Sequence, residues 1–186
     1  MKILAALVAL LLFAVSPAFA ADWTVDSAKS ALSFSGVQNG EAFKGVFGKW
    51  TADISFDPAH PETGHAKVSI DLASARTGDT QRDSALPQAE WFNVKATPTA
   101  TFEATSFVAK GGDAYEAPGT LTIRGIGKAV VLPFTLAVSG DKASAKGHLA
   151  LVRTGFGVGQ GVWATGDWVA LEVGVDVDLV ATKSGS

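Results

Sequence analysis

Apolar and polar residues alternate along most of the chain after residue 20. In the longest row, residues 169–180, six apolar side chains alternate mainly with small or acidic ones. A period of two places the apolar residues on one face of a β-strand and the polar residues on the other. Shorter rows of the same kind occur at residues 52–56, 68–72, 101–105, 120–124 and 130–138. The chain is therefore predicted to be all-β.

Turn and helix signals punctuate these rows. Gly111-Gly112 and Gly140-Asp141 are pairs typical of β-hairpins. Pro133 interrupts the row 130–138 and predicts a strand edge or a bulge, because proline cannot donate a ladder hydrogen bond. Residues 79–86 combine an acidic first turn with helix formers and precede a proline, so they predict one short helix.

About eight antiparallel strands in a chain of this length favour closure into a barrel, because closure removes exposed strand edges. An eight-stranded barrel can hold a small ligand. Alternation alone does not separate a lipocalin-like barrel from an outer-membrane barrel. Carboxylates such as Asp176 and Asp178 lie in mid-strand, and aromatic girdles are missing from the strand ends. Both features favour the lipocalin-like barrel.

The first twenty residues differ from the rest of the chain. Lys2 precedes a continuous apolar stretch from Ile3 to Val15, and the segment ends in Ala18-Phe19-Ala20. A basic start, a short apolar stretch and an A-x-A site predict a cleaved secretory signal peptide at residues 1–20. A membrane span would need about 20 apolar residues. We therefore expect a periplasmic protein with a single domain over residues 21–186.

Composition excludes several classes of chemistry. The chain of 186 residues has no cysteine, so disulfides, thiolate metal sites and cysteine nucleophiles are excluded. A net charge of −3 argues against a nucleic-acid binder. His60, His65 and His148 have no neighbours in sequence that would complete a metal site. We expect no metal, no cofactor and no enzymatic activity.

A run of alternating glycines follows Arg153. Gly155, Gly157, Gly159 and Gly161 do not have the spacing of a dinucleotide-binding fingerprint. A bulged strand, or a loop at the barrel rim that lets something approach the backbone, explains the run better.

The aromatic residues allow two interpretations. They are numerous for a chain of this size, which has 11 phenylalanines and 5 tryptophans. They can form a well-packed aromatic core, or they can line an elongated apolar cavity. The alternation does not decide between the two.

Several motifs together resemble the YceI family of secreted bacterial proteins. The resemblance covers essentially all of residues 21–186 and keeps the order of the motifs. It rests on Trp23-Thr24-Val25-Asp26, Phe43-Lys44-Gly45-Val46-Phe47, Phe56-Asp57-Pro58, Thr77-Gly78 with Arg82-Asp83, Trp91-Phe92-Asn93-Val94, Gly119-Thr120-Leu121-Thr122-Ile123-Arg124-Gly125, and Arg153 with Phe156-Gly157.

This resemblance implies an eight-stranded lipocalin-like barrel that holds a long apolar ligand. The implied ligand is a polyisoprenoid, an isoprenoid quinone or a fatty-acid derivative. Trp91 and the region of Trp163 resemble a branch associated with membrane b-type cytochromes, which implies such a cytochrome as a candidate partner; a homodimer stays open. Many members carry a histidine where this chain has Ser35-Gly36-Val37-Gln38.

The resemblance and the alternation together predict the residues that bind the ligand. The predicted residues are Phe34, Phe47, Ile54, Phe56, Ile70, Leu72, Trp91, Phe92, Phe102, Leu121, Ile123, Phe134, Phe156 and Trp163. Arg82 is either a contact for a polar head group or, as we favour, a structural ion pair with a carboxylate such as Asp83. Two other functions stay open: a non-catalytic stress or interaction protein that partners a membrane cytochrome, and an enzyme acting on an apolar substrate.

Overall fold

The computed structural model describes residues 20–184, so the predicted signal peptide lies outside it except for Ala20. The strands are β1 (Ala21–Val25), β2 (Ala31–Gln38), β3 (Glu41–Phe47), β4 (Trp50–Phe56), β5 (His65–Asp71), β6 (Ala75–Arg76), β7 (Thr99–Ala104), β8 (Val108–Gly111), β9 (Ala114–Ile123), β10 (Ile126–Ser139), β11 (Lys142–Val152) and β12 (Glu172–Lys183). The α-helix α1 covers Thr80–Ala85, and single 3-10 turns lie at Pro61–Thr63, Leu72–Ser74, Arg153–Phe156 and Gly161–Trp163.

The sheet closes on itself. The antiparallel order β1-β4-β5-β7-β9-β10-β11-β12 returns to β1, because β12 pairs with β1 as well as with β11. β2 pairs with the same edge of β12 further along the strand, so β1 and β2 act as one interrupted wall strand. β3 with β4, and β5 with β6, continue each other in the same way. The predicted eight-stranded antiparallel barrel is confirmed.

The predicted short helix is present as α1. The side chain of Asp79 accepts a hydrogen bond from the backbone N–H of Arg82 at 2.9 Å and caps the helix. The prediction that the last long strand starts at residue 169 is wrong, since β12 begins at Glu172. Val169 forms only an isolated bridge with Gln38, because the preceding segment folds over the barrel end.

Alternation along the strands separates an apolar interior from a charged exterior. On β12, Val175 and Val177 face the interior. The carboxylates between and beside them face outward, where Asp176 meets His148 at 2.6 Å and Asp178 meets Lys146 at 3.1 Å. The face that the sequence predicts to be wet therefore carries cross-strand polar pairs, and Lys146 with Asp178 is an ion pair.

The two barrel ends differ. At one end, which we call the capped end, residues 86–98 and 153–171 fold across the barrel, and Phe92 and Phe156 are buried there. At the opposite end, which we call the rim end, Trp23, Phe56 and Phe107 form a second buried cluster. Within residues 20–184, no helix is long and apolar enough to cross a membrane.

Candidate functional site

An apolar cavity runs along the barrel interior. Its volume is about 200 Å³. Every residue that lines it is apolar. Val138 lines the cavity and is 42% exposed, so the cavity reaches solvent at the rim end.

Small side chains on β11 create much of this space. Ala143, Ala145 and Gly147 face inward, opposite bulkier neighbours on β10. A Cβ atom at position 147 would lie 3.2 Å from a methyl carbon of Leu132 and 3.3 Å from the Cβ of Phe134. An eight-stranded barrel is narrow enough for large side chains to fill it, so small residues on one strand keep its centre open.

Ten of the fourteen predicted binding residues lie in the cavity wall. They are Phe47, Ile54, Phe56, Ile70, Leu72, Phe92, Phe102, Leu121, Ile123 and Phe134. Their contact with a ligand stays a prediction.

The other four predicted residues do not line the cavity. Phe34 packs against Phe47 with ring centroids 5.0 Å apart and fills the space beside Gly45. Trp91 packs on Trp163 at 5.6 Å, and Phe156 is only 3% exposed. Phe34 thus packs within the wall between β2 and β3, whereas Trp91, Phe156 and Trp163 pack in the capped end beside the cavity. Their contact with a ligand stays a prediction.

The sequence interpretation missed lining residues at both ends of the barrel and along its later strands. Trp23, Trp50 and Phe107 are the large aromatic ones. The later strands add Leu132, Leu136, Val138, Ala143, Ala145, Gly147, Leu149, Leu151, Val175, Val177, Leu179 and Ala181. Alternation along residues 142–152 was the available signal, but alanine and glycine on the apolar face made it weak.

The capped end is organised around one buried arginine. Arg153 is 3% exposed, and its guanidinium donates to the backbone carbonyls of Ala170 at 2.9 Å, Trp163 at 2.6 Å and Val169 at 2.7 Å. It also donates to the carbonyl of Val158 at 2.9 Å. Burial lowers the pKa of this guanidinium from its ordinary value, yet arginine keeps its charge. The carbonyl oxygens of this loop thus replace water around the charge, and the same hydrogen bonds fix the loop in place.

The glycine run wraps around this arginine. Gly157, Gly159 and Gly161 have φ values of +68°, +79° and +62°. A Cβ atom at position 159 would overlap the Arg153 guanidinium. The group that approaches the backbone here is therefore a side chain of the same chain.

Arg82 lies outside the cavity in a structural network. It donates to the Gln38 side-chain oxygen at 3.0 Å and stacks over Phe43, 4.9 Å from the ring centroid. Its carboxylate neighbour is Asp79, at 3.7 Å. Asp83 instead accepts hydrogen bonds from the backbone N–H and the hydroxyl of Thr77. The favoured structural ion pair of Arg82 is therefore present, but with Asp79 and not with Asp83.

Within the part of the chain that the structure describes, no titratable side chain lines the cavity. His60 pairs with Asp57 at 3.1 Å and His148 with Asp176, all on the exterior. Among residues 20–184, no group of three or more histidine, aspartate or glutamate side chains could hold a metal ion. What the cavity wall offers a ligand is apolar contact and shape.

Comparison with known proteins agrees with this architecture. A model of the YceI-like domain matches residues 23–181. A UPF0312 protein of Pseudomonas aeruginosa is 31% identical over 156 residues, which are 79% of this chain and 81% of that protein. A UPF0312 protein of Azotobacter vinelandii is 36% identical over 88 residues, 47% of this chain and 46% of the relative, so that match spans about half of its length.

Solved structures show the same barrel. BcnA of Burkholderia cenocepacia superimposes with a TM-score of 0.83 at 37% identity, covering 86% of this chain and 100% of that one. A polyisoprenoid-binding domain from Saccharophagus degradans gives a TM-score of 0.68 at 17% identity, covering 88% and 99%. At 17% identity, the match to the Saccharophagus degradans domain shows a similarity of fold alone. With the family model covering most of its length, the chain belongs to the YceI-like domain family.

Proposed function

We propose that this protein binds a long apolar ligand inside its barrel and acts as a carrier. The observation that carries the proposal is the cavity wall, which is apolar throughout. It belongs to an eight-stranded barrel, whose interior is narrow. Such a space fits a single hydrocarbon or isoprenoid tail better than a compact polar metabolite. The description of the Saccharophagus degradans relative as a polyisoprenoid-binding domain supports this ligand class.

The energetics favour long tails. Burial gains about 0.8 kcal/mol per methylene group. Association costs about 4–15 kcal/mol in lost freedom before any affinity appears. A tail of about ten buried methylene groups gains about 8 kcal/mol, which lies within the range of this cost, so tight binding requires a longer chain.

The proposed setting is the periplasm, and isoprenoid quinones belong to the proposed ligand class. The apolar stretch of residues 3–15 and the Ala18-Phe19-Ala20 site support export. The likeness of the Trp91 and Trp163 regions to cytochrome-associated members supports a quinone and a cytochrome partner. A binding role is favoured over catalysis because the cavity wall offers no acid, base or nucleophile.

Native extraction tests the proposal directly. The full chain, expressed with its leader and purified without detergent, is extracted with organic solvent and analysed by mass spectrometry. We expect an isoprenoid or long-chain lipid in stoichiometric amount. Protein that carries no lipid and takes up neither added ubiquinone nor a polyprenol would overturn the proposal.

A further inference from the structure

The barrel wall is split between two of its strands. β10 and β11 pair from Ser139↔Lys142 up to Phe134↔Gly147, and the pairing ends there although both strands continue. Above this point β10 stays paired with β9, and β11 stays paired with β12. Two strand edges therefore face each other across a gap, which we call the β10–β11 gap.

Proline at position 133 explains where the pairing ends. In a two-residue hairpin the pair that closes the turn is hydrogen-bonded, and every second residue after it points to the same partner strand. Counting back from Ser139, position 133 is one where an N–H should point toward β11. Pro133 has no N–H to donate, so the ladder ends one residue before it, at the pair Phe134↔Gly147.

The gap lies beside the central cavity. It forms a groove lined by Lys128, Ala129, Val130, Ala150, Leu151, Val152, Thr154, Gly155 and Phe156. Leu151 lines both this groove and the cavity. Val130 packs against the same core cluster as Leu151 and Phe156. A few aliphatic side chains thus separate solvent from the cavity, with no continuous ladder behind them.

The outer surface at the gap carries exposed apolar side chains on both strands. Ile126, Val131 and Val152 are 41%, 48% and 51% exposed. Elsewhere the barrel exterior carries charge pairs such as Lys67 with Glu103 at 2.9 Å. Exposed apolar residues that gather around an opening mark a place where apolar groups bind or pass.

One cation stands at this opening. The Nζ atom of Lys128 lies 5.8 Å from the centroid of the Phe156 ring and projects over Gly155. The groove lining contains no acidic residue, and the hydroxyl of Thr154 is its other polar side chain. An anionic head group could rest against Lys128 while its tail extends past Leu151 into the cavity.

We propose that the β10–β11 gap is a lateral portal through which a single-tailed lipid with an anionic head group enters the cavity, its head group held by Lys128. This inference rests on the proposed function, narrows its ligand class to acids such as fatty-acid derivatives, and adds the route and the polar contact. Because the ladder is interrupted, the tail passes between strands without breaking backbone hydrogen bonds. The separate opening near Val138 is the competing route.

Cross-linking the gap tests the route. The chain has no native cysteine, so Val131→Cys with Ala150→Cys can be joined selectively by dibromobimane. The matched control joins Ala137→Cys with Ser144→Cys, a register pair on the same two strands where the ladder is intact. Stopped-flow uptake of the fluorescent fatty acid cis-parinaric acid is measured before and after linking. We expect the linked gap protein to take up the acid about tenfold more slowly than the linked control.

The outcomes separate the two proposals. Equal uptake rates in the linked gap protein and the linked control would overturn the portal and leave the carrier function standing. Failure of the unlinked wild-type protein to take up any lipid would overturn the carrier function, and the portal with it.

The head-group contact has its own variant. Lys128→Met should weaken binding of cis-parinaric acid about fivefold and leave binding of the corresponding alcohol unchanged, since a lysine–carboxylate contact near the surface contributes modestly. Lys67→Met, on the outer wall, serves as the control and should alter neither ligand. Equal changes for acid and alcohol in Lys128→Met would overturn the assignment of Lys128.

Discussion

At the scale of single residues, Arg153 shows how a buried charge can stabilise a fold without a carboxylate partner. Its N–H groups are satisfied by carbonyl oxygens of one loop, including those of Val158, Trp163 and Val169. Its plane also lies over Trp91, 5.3 Å from the ring centroid. A guanidinium presents five N–H donors spread over a rigid plane, whereas an ammonium has three donors on a single nitrogen atom and cannot reach carbonyls this far apart.

Replacing this arginine should destabilise the capped end strongly. Arg153→Met leaves buried carbonyls without donors, and we expect a loss of about 3–5 kcal/mol in the free energy of unfolding. Arg153→Lys keeps the charge but lacks the fork, so it should lose most of the same amount. Urea unfolding monitored by tryptophan fluorescence measures both. Wild-type stability in Arg153→Lys would show that charge alone matters.

The hydrogen bonds of Asp83 in α1 should make the stability of the fold sensitive to acid. Hydrogen bonds from the hydroxyl and the N–H of Thr77 hold the pKa of this carboxyl below its ordinary value of 3.8. A lowered folded-state pKa stabilises the fold at pH values above 3.8, and that contribution is lost as the pH falls through the lowered value.

The substitution Asp83→Asn should therefore matter at neutral pH and cease to matter in acid. We expect the difference in free energy of unfolding between wild type and Asp83→Asn to shrink as the pH drops below 3.8. Urea titrations at neutral and acidic pH check this. A difference that stays constant with pH would contradict the assigned role of the ionised carboxylate.

At the scale of strands and loops, the sequence predicted the fold where apolar residues were large. Val175, Val177 and Leu179 identify β12 because each buries a branched side chain on the same face. On β11 the inward residues include Ala143, Ala145 and Gly147. Because these side chains are small, the apolar signal is weak, and the sequence does not predict where this strand begins and ends.

Interactions of the loops decide where β12 begins, which the alternation of apolar and polar residues does not predict. The extended pattern continues back to Val169, but β12 starts only at Glu172. The carbonyls of Val169 and Ala170 instead accept hydrogen bonds from the Arg153 guanidinium. Arg153 also contacts Trp91 through its ring and Trp163 through its carbonyl, and Phe156 lies in the turn that begins at Arg153, so these three residues pack in the capped end. Contacts between residues distant in sequence decide this, and a local pattern does not report them.

Restoring a donor at position 133 should extend the β10–β11 ladder. Pro133→Thr supplies an N–H that points toward β11 and a residue that favours strands. Each added ladder bond contributes about 1 kcal/mol, so the amides of His148 and Ala150 should exchange with deuterium more slowly. Uptake of cis-parinaric acid should slow as well. Unchanged exchange at both amides would show that Pro133 does not limit the ladder.

At the scale of the whole molecule, two aromatic clusters and a loop cap hold the two ends of an open tube. Phe56 packs edge-on against Phe107, with ring centroids 5.0 Å apart, at the rim end, and Phe92 belongs to the core beneath the cap. The middle of the barrel can stay hollow because the packed ends and the hydrogen-bonded strand pairs of the wall supply the stability. Ligand capacity then depends on how far the small side chains of β11 leave that middle open.

Filling the tube should shorten the ligand it accepts. Ala145→Trp places a large ring in the cavity, whereas Ser144→Trp puts the same ring on the exposed outer face of β11. For the wild-type protein, affinity should rise with tail length by about 0.8 kcal/mol per methylene group until the tail fills the cavity, and then level off. Ala145→Trp should reach this plateau at a shorter tail, while Ser144→Trp should follow the wild type. Calorimetric titration with fatty acids of increasing length measures the plateau, and a common plateau for all three proteins would mean that the tail does not lie in the barrel.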